Sequence, residues 1–226
     1  MDYMRSARVF AFSLLVLIFC NNQAFPAQGK LRILCSFLPV QLFTANVVTN
    51  LPGVELSVLI PGNRGPHDYQ LTPGDMKKIL SADVFIAVGL GLEGFLEGPI
   101  KRANPKLKIA EVGRIQKLIP YHDRERTRSS VSTHESTKTQ HGHQHHAQDY
   151  NPHTWVSPLA AVEIVHTIKS TLSEIDSKGT PYYRANAESY ALKLMSLHHE
   201  IAREVKALRS RKIVTFHNAF DYFARD

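Results

Sequence analysis

Four short, nearly continuous apolar runs follow one another along the first half of the chain, at residues 31–37, 54–60, 83–88 and 107–112. Runs of this length without polar alternation predict strands covered on both faces, as in a parallel sheet. Between them, residues 40–50, 73–81 and 91–103 carry helical spacing. The alternation predicts βαβ units and an α/β fold. Farther on, two long helices are expected at 158–175 and 181–208. On the second, Tyr183, Ala187, Tyr190, Leu194, Leu197 and Ile201 recur at three- and four-residue steps. Residues 212–216 then read as one more strand. Thr72-Pro73, Ser157-Pro158 and Thr180-Pro181 each place a hydroxyl before a proline, which predicts three capped helix starts. Asp75 and Glu163 add carboxylates near two of them, where the helix dipole favours negative charge.

Two segments break the pattern. At the N-terminus, Arg5 and Arg8 precede an apolar run at 9–20, followed by Asn21-Asn22-Gln23. A run of that length is short for a membrane span and reads as the core of a cleavable export signal, residues 1–24, cut near Ala24 or Ala27. Bulky Phe19 before Cys20 argues against a lipid-anchored cysteine there. Cleavage leaves Cys35 alone in an apolar run, so a buried strand thiol is expected and no disulfide. The second break, residues 114–151, is polar and aperiodic and reads as a long surface loop.

The chain has 226 residues, 43% of them apolar, a composition suited to one or two modest globular lobes. Its formal charge of +7 is spread without long Lys/Arg runs, so no nucleic-acid partner is expected.

The candidate chemistry is histidine. Four of the 12 histidines, His141, His143, His145 and His146, crowd the polar loop, with His122 and His134 before them. A tract of this kind reads as weak, exchanging, auxiliary metal sites. His67, His153 and His217 stand apart, each read as sitting where a strand has just ended. Ligands of open parallel sheets bind beyond the strands' carboxyl ends. Three neutral imidazoles converging there would suit zinc. His166, His198 and His199 fall on predicted helices and read as solvated.

Three stretches then carry a specific resemblance. The first is His67-Asp68-Tyr69-Gln70-Leu71-Thr72-Pro73, followed by Ala82-Asp83-Val84 and Gly89-Leu90-Gly91-Leu92-Glu93. The second is Asn151-Pro152-His153-Thr154-Trp155-Val156-Ser157-Pro158, with Asn151 where aspartate is common. The third is Val214-Thr215-Phe216-His217-Asn218-Ala219-Phe220-Asp221-Tyr222-Phe223. In this order they resemble the metal-ligand motifs of the zinc/manganese substrate-binding proteins of bacterial ABC importers.

The resemblance implies two βα lobes with parallel sheets, joined by a long linking helix, with the metal in the cleft between them. On that plan residues 28–180 form the N-terminal lobe with the histidine-rich loop, and 181–209 the linking helix. Residues 210–226 begin a C-terminal lobe that is mostly absent. His67 and His153 would come from the first lobe and His217 from the second. The fourth ligand, a carboxylate, would lie past residue 226.

Zn2+ is the expected cargo. Manganese-type relatives carry glutamate where this chain has His217, and nitrogen ligands suit zinc better than manganese. The implied role is periplasmic zinc capture and delivery to an ABC permease in the inner membrane, by a protein that is monomeric at full length and not an enzyme. Two other readings stay open: a secreted zinc hydrolase, and an adhesin or zinc store. Tyr69 and Trp155 are expected to pack around the site, and Asp68 and Glu93 to be available as acceptors for a ligating imidazole.

Overall fold

The computed structural model describes residues 30–67, 69–121 and 149–226. Asp68, the expected export signal and the loop histidines from His122 to His146 lie outside the described residues.

The four apolar runs form one parallel sheet in the order β2-β1-β3-β4. Its strands are β1 (Leu31–Cys35), β2 (Val54–Val58), β3 (Val84–Ala87) and β4 (Lys108–Glu111). Register runs from Leu31 opposite Val54, Ile33 opposite Val84 and Val84 opposite Lys108. Every residue of β3 is buried, as its unbroken apolar run requires of a strand with neighbours on both sides. Pairing extends past the strands' carboxyl ends through Ile60 N to Ser36 O and Gly113 N to Val88 O.

The crossovers are α1 (Leu38–Val47), α2 (Pro73–Ser81), and a 3-10 turn at Gly94–Leu96 running into α3 (Glu97–Ala103). The long helices are α4 (Pro158–Ile175) and α5 (Thr180–Ala207), and a short α6 (Asp221–Arg225) closes the chain. Helix α4 packs along α5, and α1 packs on both. No helix among the described residues is long and apolar enough to cross a membrane.

Two of the three expected caps form. Thr72 Oγ1 accepts from Asp75 N at 3.3 Å, and Asp75 Oδ2 accepts from Thr72 N at 2.9 Å, a reciprocal capping box. Ser157 Oγ accepts from Ala160 N at 3.2 Å. Thr180 does not cap: α5 begins at Thr180 itself, one residue earlier than expected, with Gly179 in the N-cap position. The carboxylate of Glu163 accepts from Gln116 N at 2.8 Å, which ties α4 to the chain after β4.

The expected strand at 212–216 is absent. This segment has no strand partner among the described residues, and Val214 and Phe216 are fully exposed. A β-rich sequence becomes a strand only when a neighbour takes its backbone groups, and no strand among the described residues pairs with this one. The stripe on α5 also parts company with expectation. Tyr183, Ala187 and Leu194 are buried against the lobe, whereas Leu197 is 44% exposed. The ends of the expected loop are ordered: Pro120 and Tyr150 form an antiparallel bridge, flanked by Tyr121 N to Asp149 O and Asn151 N to Ile119 O.

Cys35 is buried, with its thiol 3.5 Å from Thr44 Oγ1 and its pKa pushed up by burial to about 12. It is an inert core residue, as its apolar run predicts.

Candidate metal centre

The histidines that stand 86 and 150 positions apart from His67 in either motif are brought to one point by three separate segments. His67 lies in the loop after β2 and His153 follows the bridged loop stem. His217 follows the unpaired segment after α5, so strand ends position neither His153 nor His217. One ligating nitrogen from each imidazole lies within 4.8 Å of the others. His67 Nε2 and His153 Nε2 are 3.3 Å apart. The ring centroids are separated by 5.3 Å for His67–His153, 5.1 Å for His153–His217 and 6.0 Å for His67–His217. A tetrahedral ion with Zn–N bonds of about 2.0–2.1 Å needs neighbouring nitrogens roughly 3.3–3.4 Å apart. One pair stands at that spacing, and a small closing movement of His217 would bring the third in.

His153 is the fixed member, only 3% exposed. Pro152 precedes it, and a 3-10 turn at Thr154–Val156 leads directly into α4. Its ring lies 5.0 Å from that of Trp155, which meets Phe37 edge-on at 4.9 Å. Phe37 leaves the carboxyl end of β1, so the sheet supports the imidazole through two aromatic rings. The wall expected of Trp155 is present.

The other face of His153 meets Asn151, which is fully buried. Asn151 Oδ1 takes both the backbone N–H of His153, at 3.0 Å, and His153 Nδ1, at 2.7 Å. A backbone N–H can only donate, so this atom is an oxygen. An oxygen facing Nδ1 puts the ring proton on Nδ1, which leaves the Nε2 lone pair directed at His67. Burial, with the neighbouring His67 and His217 rings, holds the His153 pKa down at about 4, although Asp221 pulls the other way. His153 is therefore a neutral imidazole at neutral pH, the form that binds metal.

His67 and His217 are exposed and give the site its opening to solvent. His217 is brought in by the docking of α6. Tyr222 is fully buried; its hydroxyl donates to Asn151 O at 2.8 Å and accepts from Ile119 N at 3.1 Å. The Arg225 guanidinium lies over the Tyr222 ring at 5.1 Å and donates to Lys117 O at 2.6 Å.

Glu93 does not serve as an imidazole acceptor. It is buried, and its two oxygens accept from Val88 N and Gly89 N, both at 2.9 Å. It thereby braces a turn in which Gly89, Leu90 and Gly91 all have positive φ. A Cβ on Gly89 would sit 2.6 Å from Glu111 Cδ, so glycine is required there. The Tyr69 hydroxyl donates to Asp75 Oδ2 at 2.7 Å, which ties the residue two places after His67 to the capping box of α2. His198 and His199 lie beside each other on α5 and are not part of the trio. Asp221 and Tyr222, which hold the third arm in place, have no signal in the sequence beyond their place in the third motif.

A parallel βα lobe with three convergent imidazoles is an α/β arrangement whose donor set could hold a metal ion. Comparison with known proteins identifies the family. Residues 33–226 match the model of ZnuA, the periplasmic component A of the zinc-uptake complex, and the chain belongs to that family. It is 30% identical over 213 residues to the zinc-binding lipoprotein AdcA of Streptococcus pneumoniae (strain ATCC BAA-255 / R6), a match covering 94% of this chain and 40% of AdcA. It is 26% identical over 196 residues to the high-affinity zinc uptake system protein ZnuA of Yersinia pestis, covering 84% of this chain and 61% of that one. The crystal structure of a zinc-bound ZnuA deletion mutant superposes with a TM-score of 0.71 at 26% identity, over 87% of this chain and 66% of that chain. The chain thus spans from 40% to 66% of the length of these relatives.

Proposed function

We propose that this chain captures Zn2+ outside the cytoplasm and passes it to an ABC-type import permease in the inner membrane, with His67, His153 and His217 as the ligands. The observation that carries the reading is the meeting of three imidazole nitrogens within 4.8 Å on segments far apart in sequence. The zinc-binding names of the relatives support it. The family's periplasmic description supports export, and residues 1–24 are the proposed signal. Residues 28–180 act as the ligand-bearing lobe, 181–209 as the linking helix and 210–226 as the start of a second lobe.

Neutral imidazoles take the ion from water and release it without any bond being made or broken in a substrate, so the role needs no catalysis. His141, His143, His145 and His146 act as auxiliary sites that raise the local zinc concentration. Manganese is disfavoured by a shell rich in nitrogen.

Calorimetric zinc titration tests this on the chain, on the chain lacking residues 122–148, and on a His67→Ala/His153→Ala/His217→Ala variant. One tight site should survive the deletion and vanish in the triple variant. A tight site that leaves with the loop and ignores the triple variant would overturn the assignment.

A further inference from the structure

The residue that joins the two halves of the histidine trio is Asn151, and every polar atom it has is engaged. Oδ1 accepts from His153 N at 3.0 Å and from His153 Nδ1 at 2.7 Å. Nδ2 donates to Asn218 O at 2.8 Å and to Asp221 Oδ2 at 3.0 Å. Its backbone N donates to Ile119 O at 2.8 Å and its backbone O accepts from Tyr222 OH at 2.8 Å. The amide orientation is internally determined: the oxygen faces a backbone N–H that can only donate, and the nitrogen faces a carbonyl that can only accept. The residue is fully buried, so water replaces none of these bonds easily.

We propose that Asn151 is a positioning residue for the metal site, acting on both sides at once: its oxygen selects the His153 tautomer that offers Nε2, and its nitrogen ties down the segment carrying His217. This rests on the zinc reading of the trio. Hydrogen bonds to the non-ligating nitrogen of a metal-binding histidine fix its ring and tune its affinity. The second role needs an amide. A carboxylate at 151 could still accept from His153, but it would put a negative charge against Asp221 Oδ2 and leave Asn218 O without its donor. The tie is short in sequence at its far end: Asn218 directly follows His217, so holding its carbonyl holds the backbone that carries the third imidazole.

The test uses the full 226-residue chain with Asn151→Ala, Asn151→Asp and the pair Asn151→Asp/Asp221→Asn. Zinc affinity is measured by calorimetry, and the imidazole 15N shifts of His153 are recorded in the metal-free proteins. In the unsubstituted chain His153 should show a protonated Nδ1 and an unprotonated Nε2. Asn151→Ala should mix the two tautomers and weaken zinc binding by roughly 10- to 100-fold, the range typical of losing such a partner. Asn151→Asp should keep the tautomer, and adding Asp221→Asn should raise its zinc affinity by restoring a donor–acceptor pair across the gap.

An Asn151→Ala protein with the original tautomer and affinity, moved only in melting temperature, would show a merely structural residue. If that variant does not fold, equal affinities for Asn151→Asp and its double variant overturn the tie to the His217 segment. A parent chain that takes no zinc tightly defeats the zinc reading alone, because the His153 shifts of the metal-free chain still decide the tautomer assignment.

Discussion

His153 and His217 face the same point from opposite structural conditions. His153 is buried, follows a proline, is backed by Trp155 and Phe37, and has its tautomer chosen by Asn151. His217 is exposed, at the end of a segment that pairs with nothing among the described residues, and depends on the docking of a five-residue helix. The first imidazole is held by a sheet and a long helix, the second by Tyr222, Arg225 and the Asn151 amide. One half of the site is thus preorganised and the other is adjustable. Under the proposed zinc capture, that arrangement suits a site that both admits an ion and lets it go.

Single substitutions sharpen this contrast most. An apparent zinc-binding free energy of about 10–16 kcal/mol shared among three ligands is roughly 3–5 kcal/mol each, so either His153→Ala or His217→Ala should weaken binding more than about a hundredfold. His153→Ala should have the larger effect, because it also removes the member whose orientation is already set. Calorimetry showing equal losses would break the contrast between fixed and adjustable arms.

Acid should act on the fixed arm. With a folded pKa of about 4 against an ordinary value of 6.5, His153 resists protonation in the folded chain and accepts it in the unfolded one. The metal-free protein therefore loses stability as pH falls from about 6.5 towards 4, and the contribution is constant above that window. Between pH 7 and 5 the loss attributable to His153 should be about 1–2 kcal/mol after allowance for solvent screening. Urea titrations of the chain and of His153→Ala in chelator measure it; parallel pH profiles for the two proteins would contradict it.

On the adjustable arm, Tyr222→Phe removes one hydroxyl that both donates to Asn151 O and accepts from Ile119 N. Leaving these buried backbone groups without a partner should cost about 1–3 kcal/mol by urea denaturation. Proteolysis after residue 209 should quicken in step, because the docked end is what restrains the 210–217 stretch. Unchanged cleavage would mean that Arg225 and Asn151 hold α6 without the tyrosine.

Much of the lobe is legible in the sequence. Buried strands sit where the chain is continuously apolar, and Pro73 and Pro158 mark helix starts to the residue. Those signals are local: burial on both faces leaves no polar positions in a strand, and a proline at a first helical position wastes no amide. His67, His153 and His217 could be nominated from their motifs. Thr180 shows the limit of the same reasoning, since the identical Thr-Pro pair lies inside α5 and caps nothing.

What the tertiary structure alone decided is non-local. Residues 212–216 have a strand's composition, but a strand is a relation between two segments, and here the second is missing among the described residues. Asn151 reads in the sequence as one member of a motif. Only the folded chain puts Asn218 and Asp221, about seventy positions away, against its amide nitrogen, at distances of 2.8 and 3.0 Å. The sequence by itself determined which residue types could bind a metal and which elements would carry them. Whether three imidazoles share one point, and with which nitrogen each is presented, was set by packing, because a hydrogen bond depends on positions to a few tenths of an ångström that no local pattern encodes.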